Sequence, residues 1–253
     1  MNMTSPHDPT WNGELPATFL QYLAVSPAGS GERLPSIQEI SADLGISSGK
    51  LREQLEVARQ LGLVDVRPKT GIRRMPFNFL PGLRVLLNYA VTIDPAYFEQ
   101  FGDLRNALEV VFWKPAVERL LPEDRQMLRR LVDRAWEKLR GEPIQIPHPE
   151  HRAFHLTVFS RCDNVFVRAV LEAYWEAYEA IGLNVYADYA YLKRVWDYHE
   201  RMLNAILAGD YDLGYQIQIE HATLLHERPE LSQLRWQGSP ATVDAKDTPR
   251  GTE

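Results

Sequence analysis

Four histidines carry the most distinctive chemistry of this sequence. His151 and His155 lie four residues apart in Pro147–His155, read PHPEHRAFH, just after two prolines. On a helix that spacing leaves the two imidazoles roughly 40° apart around the axis and one turn from each other. His199 and His221 sit on later segments that also have helical periodicity. Three of the four have apolar neighbours: Phe154 and Leu156 beside His155, Val195 and Leu203 beside His199, Ile217 and Leu225 beside His221. We expect the four to converge on one divalent transition metal. Imidazole ligation suits Zn²⁺ best, with Ni²⁺, Cu²⁺ and Fe²⁺ also compatible. His151 is either the fourth ligand or a hydrogen-bonding neighbour of a three-histidine site. His226, five residues beyond His221, points elsewhere, and His148 is a distant substitute ligand between two prolines.

A three-histidine ion with an open position can activate water, so a metal-dependent hydrolase is the competing reading. The carboxylates at hand, Glu150 and Glu200, adjoin His151 and His199 and therefore point off the metal face. No catalytic residue is assigned, and the chain is not expected to be an enzyme.

These histidines need long helices to hold them, and the second part of the chain supplies the pattern. Apolar spacing predicts helices near residues 82–93, 95–120, 122–140, 149–162, 164–186, 189–208 and 210–227. Pro122-Glu123-Asp124 marks a helix start, with proline in the first turn and acids at the positive end of the dipole. Asp210 is the expected N-cap after Gly209.

The first part reads differently. Leu15, Phe19, Leu20, Leu23 and Ala24 share one helix face. Ser36 and Glu39 have capping-box spacing, and Gly45 separates that helix from one carrying Leu51, Leu55 and Ala58. Leu61–Val66 alternates like a strand, Gly71 supplies a turn, and Ile72–Met75 returns. Two short helices followed by a two-stranded wing make a winged helix-turn-helix. Its second helix, Ser47–Gln60, would enter the major groove of double-stranded DNA by its N-terminal end. Ser48, Lys50 and Arg52 are placed there for contact, with Ser36 and Gln38 on the preceding helix. Lys69, Thr70 and Arg73 on the wing would reach phosphates or the minor groove.

The expected fold is therefore mainly α: a winged helix-turn-helix over 1–75, a linker over 76–82, an all-helical sensing bundle over 83–230 and a disordered tail over 231–253. At 253 residues the chain has room for two modest domains, and its net charge of −6 rules out a whole-chain basic excess as an argument for nucleic acid. One cysteine, Cys162, excludes an intrachain disulfide and fits a cytoplasmic location. No run of about 18 apolar residues occurs, so no membrane span is expected.

Residues 34–74 resemble the DNA-binding domain of GntR-type repressors. The matches are Leu34-Pro35-Ser36, Glu39-Ile40, Ile46-Ser47, Leu51-Arg52-Glu53, Leu55, Gly62-Leu63-Val64 and Gly71. Gln38 and Ser48 stand where such proteins usually have arginines, and Gly49-Lys50 replaces a Thr-Pro. The resemblance implies a homodimer on a palindromic operator whose sequence differs from that of typical members. A metal- or acid-sensing protein with a degenerate DNA-binding head is the other reading of those departures. Most of residues 82–228 resembles the FCD ligand-sensing domain of the FadR subfamily, with its pattern of Asp-x3-His and two later histidines. His155, His199 and His221 take the three histidine positions, and His151 falls where an aspartate is usual.

That swap leaves four neutral ligands around a cation, which favours an anionic partner. The resemblance implies a small carboxylate effector, and Arg105, in Asp103–Glu109, takes the position of an effector-binding arginine. Arg105 could equally pair with Glu109 at i,i+4 on the helix surface. The aromatic run Tyr174, Trp175, Tyr178, Tyr186, Tyr189, Tyr191, Trp196 and Tyr198 would shape a pocket, or form core or dimer interface.

Overall fold

A computed structural model of the chain describes residues 18–68, 70–183, 185 and 188–224. The chain divides into two compact units, Met1–Gly82 and Leu83–Glu253.

In the first unit, α1 (Thr18–Val25), α2 (Ile37–Leu44) and α3 (Ser48–Gln60) precede strands β1 (Val64–Arg67) and β2 (Gly71–Arg74). The capping box forms as the spacing predicts: Glu39 N–H donates to Ser36 Oγ at 3.3 Å, and Ser36 N–H donates to Glu39 Oε2 at 2.8 Å. Gly45 ends α2 with φ of 63°, a left-handed conformation that costs glycine least. Ser47 then caps α3 through the Lys50 N–H at 3.2 Å. β1 and β2 pair antiparallel, with Val64 opposite Arg74 and Arg67 opposite Gly71. The segment before α2 lies along β2, with Leu34 N–H donating to Ile72 O at 2.9 Å. Phe19, Leu23, Leu34, Ile40, Leu51, Leu55, Ala58, Val64 and Ile72 close one core.

The second unit is helical among its described residues. It comprises α4 (Leu80–Ile93, whose first residues precede the unit boundary), α5 (Ala96–Val117), α6 (Pro122–Arg140), α7 (His148–Val158), α8 (Val165–Ala180), α9 (Tyr189–Ala208) and α10 (Tyr211–Ala222). α4 thus starts inside the stretch expected as linker. α5 stops short of 120, just after Pro115 in its last turn. α8 ends at Ala180 rather than 186, followed by Gly182 at φ 79°. α6 starts at Pro122 as predicted, with Asp124 accepting the Leu121 N–H at 3.0 Å, and Asp210 caps α10 through the Leu213 N–H at 3.0 Å, the cap expected there. The end of the last predicted helix and the tail lie outside the described residues.

α7 packs on α6 and α8, and α10 packs on α9 and α5. Trp113, Trp175 and Trp196 are fully buried among them, each large apolar side chain contributing about 1.5–3 kcal/mol of transfer free energy. Gly214 allows α10 to approach α5: a Cβ there would stand 2.8 Å from Trp113 Cζ2. The Trp113 indole N–H donates to Tyr211 O at 3.2 Å across the same contact.

Candidate metal centre

The four predicted histidines meet. His151 and His155 project from α7, His199 from α9 and His221 from α10, and one ligand atom of each lies within 4.8 Å of the others. His155, His199 and His221 are buried and His151 is half-buried. The cluster has aromatic walls. His199 stands edge-on to Phe154, ring centroids 4.6 Å apart, and His151 edge-on to Trp175 at 4.7 Å.

Burial is the first cause that pushes all four imidazoles well below their ordinary pKa, with mutual repulsion or the Arg105 charge adding to it. Neutral imidazole is the form that ligates metals. A hydrogen bond then assigns one tautomer. His199 Nδ1 lies 2.6 Å from Val195 O. A carbonyl can only accept, so Nδ1 carries the proton and Nε2 is bare. His155 Nδ1 lies 3.0 Å from Glu109 Oε1 as an ion-pair contact that is not aligned as a hydrogen bond, so only the His199 tautomer is fixed by a hydrogen bond. His155 Nε2 and His199 Nε2 are 3.0 Å apart. With His199 Nε2 bare, that short contact is met either by a proton on His155 Nε2 or, with both nitrogens bare, by a cation between them. Both can sit ~2.0–2.1 Å from one ion, the usual Zn–N distance. His151 Nε2 and His221 Nδ1 are buried without a hydrogen-bond partner, which is also what unfilled ligand atoms look like. The residues fit a divalent metal.

Behind His155 lies a charged layer that spacing alone did not reveal. Glu109 is 0% exposed. Its Oε2 accepts from Gln218 Nε2 at 2.9 Å, and Arg105 Nη2 stands 2.9 Å from Oε1. Burial pushes this carboxyl up, and the Arg105 charge and the Gln218 hydrogen bond pull against it. Arg105 does pair with Glu109 at i,i+4, but in the interior instead of on the surface. Its Nη1 donates to Asn106 Oδ1 at 3.0 Å, and Asn106 Nδ2 donates to Ala222 O at 3.0 Å at the end of α10. The guanidinium lies over Tyr174, 4.8 Å from the ring centroid. A cavity of about 20 Å³ opens among Arg105, Asn106, His151, Tyr174, Trp175 and His221. The signal that could have found Glu109 and Gln218 was their polarity at core positions of α5 and α10, visible once Trp113 and His221 set the inward faces.

Other side chains take different places. His148 belongs to the first turn of α7 and is engaged away from the cluster: Nε2 is 2.8 Å from Glu179 Oε1 and the ring stacks on Tyr178 at 5.3 Å. Glu150 accepts from Lys138 Nζ at 2.8 Å and Glu200 from Trp136 Nε1 at 3.0 Å, so both are held off the metal face as expected. Tyr174, Trp175 and Tyr178 are buried beside the cavity. Tyr186 and His226 lie outside the described residues.

On the winged unit, Gln38, Lys50, Arg52, Thr70 and Arg73 are exposed. No ion pair engages Lys50 or Arg52 among the described residues, whereas Arg59 binds Glu56 at 2.6 Å and Arg67 binds Asp65 at 2.8 Å. Ser36 Oγ is occupied as a cap and Ser48 Oγ lies 3.3 Å from Ser41 Oγ. Arg73 Nη1 donates to Gly31 O at 3.0 Å. Lys69 lies outside the described residues. Arg33, missed in the sequence, pairs with Arg73 as an extra bridge on the wing.

Comparison with known proteins agrees with this architecture. Residues 100–224 match the FCD domain. The HTH-type transcriptional regulator LutR of Bacillus subtilis is 23% identical over 199 residues, 76% of this chain and 89% of that protein. An L-lactate dehydrogenase operon regulatory protein of Escherichia coli is 21% identical over 208 residues, 78% of each chain. The solved structure of Streptococcus agalactiae GntR shares the fold, with a TM-score of 0.57 at 16% identity, covering 83% of this chain and 95% of that one. These relatives are named as regulators, not as enzymes, and no described helix here is long and apolar enough to cross a membrane. The winged helix-turn-helix, the helical bundle and the histidine cluster within the matched residues fit one conclusion: the chain belongs to the GntR-family transcription regulators that carry an FCD domain.

Proposed function

We propose that this protein is a cytoplasmic, dimeric repressor whose DNA binding responds to a small carboxylate held beside a divalent metal. In this reading residues 1–75 read a palindromic operator and residues 83–230 sense the effector. His151, His155, His199 and His221 hold the ion, Zn²⁺ in the first instance. The convergence of four imidazoles, one ligand atom of each within 4.8 Å of the others, carries the reading. The ion would orient an anionic ligand and brace α7, α9 and α10 against each other. Arg105 supports the carboxylate: it is a buried cation bordering the same cavity as His151 and His221. At about 20 Å³ that cavity has room for one water, so an effector must move some of its walls on entering. The operon named for the Escherichia coli relative makes short hydroxycarboxylates the first ligands to try.

Ser36, Gln38, Ser48, Lys50, Arg52, Lys69, Thr70 and Arg73 are the proposed DNA contacts. Effector binding would alter the placement of two heads on two half-sites.

Elemental analysis of purified protein, together with a gel shift on DNA flanking its own gene, tests the whole reading. One equivalent of transition metal per chain and an effector-sensitive shift are expected. Metal-free protein that refuses Zn²⁺ would remove the sensor, and no shift at low salt would remove the operator. The four-imidazole set should also hold carboxylates more tightly than an aspartate-containing one; stronger carboxylate binding by His151→Asp would defeat that part.

A further inference from the structure

We infer that Glu109 is the positioning residue of the metal centre: it holds His155 as the Nδ1–H tautomer and supplies, one bond beyond the ligands, the negative charge that four imidazoles lack. This rests on the metal reading above and adds a residue to it. Glu109 is fully buried on α5, an element that contributes no histidine to the cluster, yet its Oε1 lies 3.0 Å from His155 Nδ1. A carboxylate at that distance, although not aligned for a hydrogen bond, favours the proton on Nδ1 electrostatically, which leaves Nε2 as the ligating nitrogen. Nε2 is also the atom that faces His199 Nε2. The same carboxylate strengthens His155 as an electron donor, since part of its charge is transmitted through the imidazole.

The surroundings keep Glu109 in this role. Gln218 Nε2 donates to the second oxygen, Oε2, and so fixes the plane of the carboxylate from α10, one turn before His221. Arg105 Nη2, 2.9 Å from Oε1, shares the oxygen that faces His155. Arg105 thus partly neutralises Glu109 while no other anion is present. A carboxylate ligand that drew the guanidinium to itself would return the full charge of Glu109 to His155 and the ion. His199 needs no such partner, because the Val195 carbonyl takes its Nδ1 proton within α9. The two central ligands are therefore oriented in different ways, one by its own helix and one by a buried anion from another.

The test measures Zn²⁺ affinity by competition with a fluorescent chelator at neutral pH, for the full chain and for Glu109→Gln and Glu109→Ala. It also reads imidazole nitrogen shifts in metal-free protein labelled with ¹⁵N-histidine. Affinity should fall about tenfold in Glu109→Gln, which keeps an acceptor oxygen but not the charge, and about a hundredfold in Glu109→Ala. His155 of the unaltered protein should show the Nδ1–H pattern. Should the single variants fail to fold with Arg105 left unpaired, Arg105→Gln/Glu109→Gln removes both charges together and should show the same loss. Unchanged Zn²⁺ affinity in folded variants, or an Nε2–H pattern at His155, would overturn the role of Glu109 while leaving the metal site standing. Absence of Zn²⁺ affinity in the unaltered protein would instead overturn the metal reading and this inference with it.

Discussion

Lys50 and Arg52 stand in water on α3, with no described acid paired to them, whereas His199 and Glu109 are 0% exposed inside the bundle. On the winged unit a polar residue costs nothing to keep, so its position on the helix is all that matters. In the bundle every polar atom needs a partner, because an unsatisfied buried donor or acceptor costs about 1–3 kcal/mol. The winged unit therefore waits for its partner with ordinary solvated charges. The bundle keeps a layered arrangement, imidazole against imidazole, imidazole against carboxylate, carboxylate against guanidinium, in which several buried atoms, among them His151 Nε2, His221 Nδ1, Glu109 Oε1 and Arg105 Nη2, have no hydrogen-bond partner. The contrast teaches that the two halves should fail differently when disturbed.

The largest effect is expected from His199→Ala. Metal content should drop from about one equivalent to background, a loss of about a thousandfold in affinity, on the order of 4 kcal/mol. Operator binding measured without effector should remain within severalfold of wild type. Equal loss of both would show that the head depends on the ion and would erase the contrast.

Acid should separate the halves next. The four buried histidines have pKa values below those of the unfolded chain. Below about pH 6.5 the unfolded state therefore takes up protons that the native state refuses. Stability is full above that pH and falls as pH drops, by on the order of 1 kcal/mol for each histidine at about pH 5.5. Residues 18–82 contain no histidine. Urea unfolding of metal-free protein should show the bundle transition moving to lower denaturant between about pH 7.5 and 5.5, with far less movement in the winged unit. A bundle midpoint that did not move would contradict neutral, buried imidazoles.

Arg52→Ala should weaken operator binding by about 1–3 kcal/mol in fluorescence anisotropy and flatten its salt dependence, with metal content unchanged. An unaltered affinity would place α3 outside the DNA interface. The smallest effect is expected from Ser36→Ala. Loss of the cap should cost the winged unit about 1 kcal/mol in urea unfolding, with no change in Zn²⁺ affinity.

Much of this was legible before any coordinates. The Ser36–Glu39 box, Gly45, the Gly71 turn and Asp210 act through neighbours a few residues away, and each formed where its local chemistry placed it. Helix ends were less legible. α8 stops early because Gly182 outweighs the apolar pattern that runs on past it, and α5 runs through Pro115 and loosens into turns before the extended Leu121 and Pro122. The histidine set was found from its types and spacing, but His148 was kept open as a substitute until Glu179 and Tyr178 were seen to hold it.

By itself the sequence determined the elements and the ligand types: a helix-turn-helix with a wing, long helices after it, and four imidazoles at spacings that one metal could collect. Those properties depend on backbone preferences and on periodicity, which act over a few residues. Only the tertiary structure decided which nitrogen His199 presents, that Arg105 and Glu109 form their ion pair in the interior, and that Glu109 stands behind His155. These are contacts between α5, α7 and α10, far apart in the chain, brought together by the burial of Trp113 and Trp175 and by the bare Cα of Gly214. A buried charge is defined by what surrounds it, and no stretch of the chain carries its own surroundings.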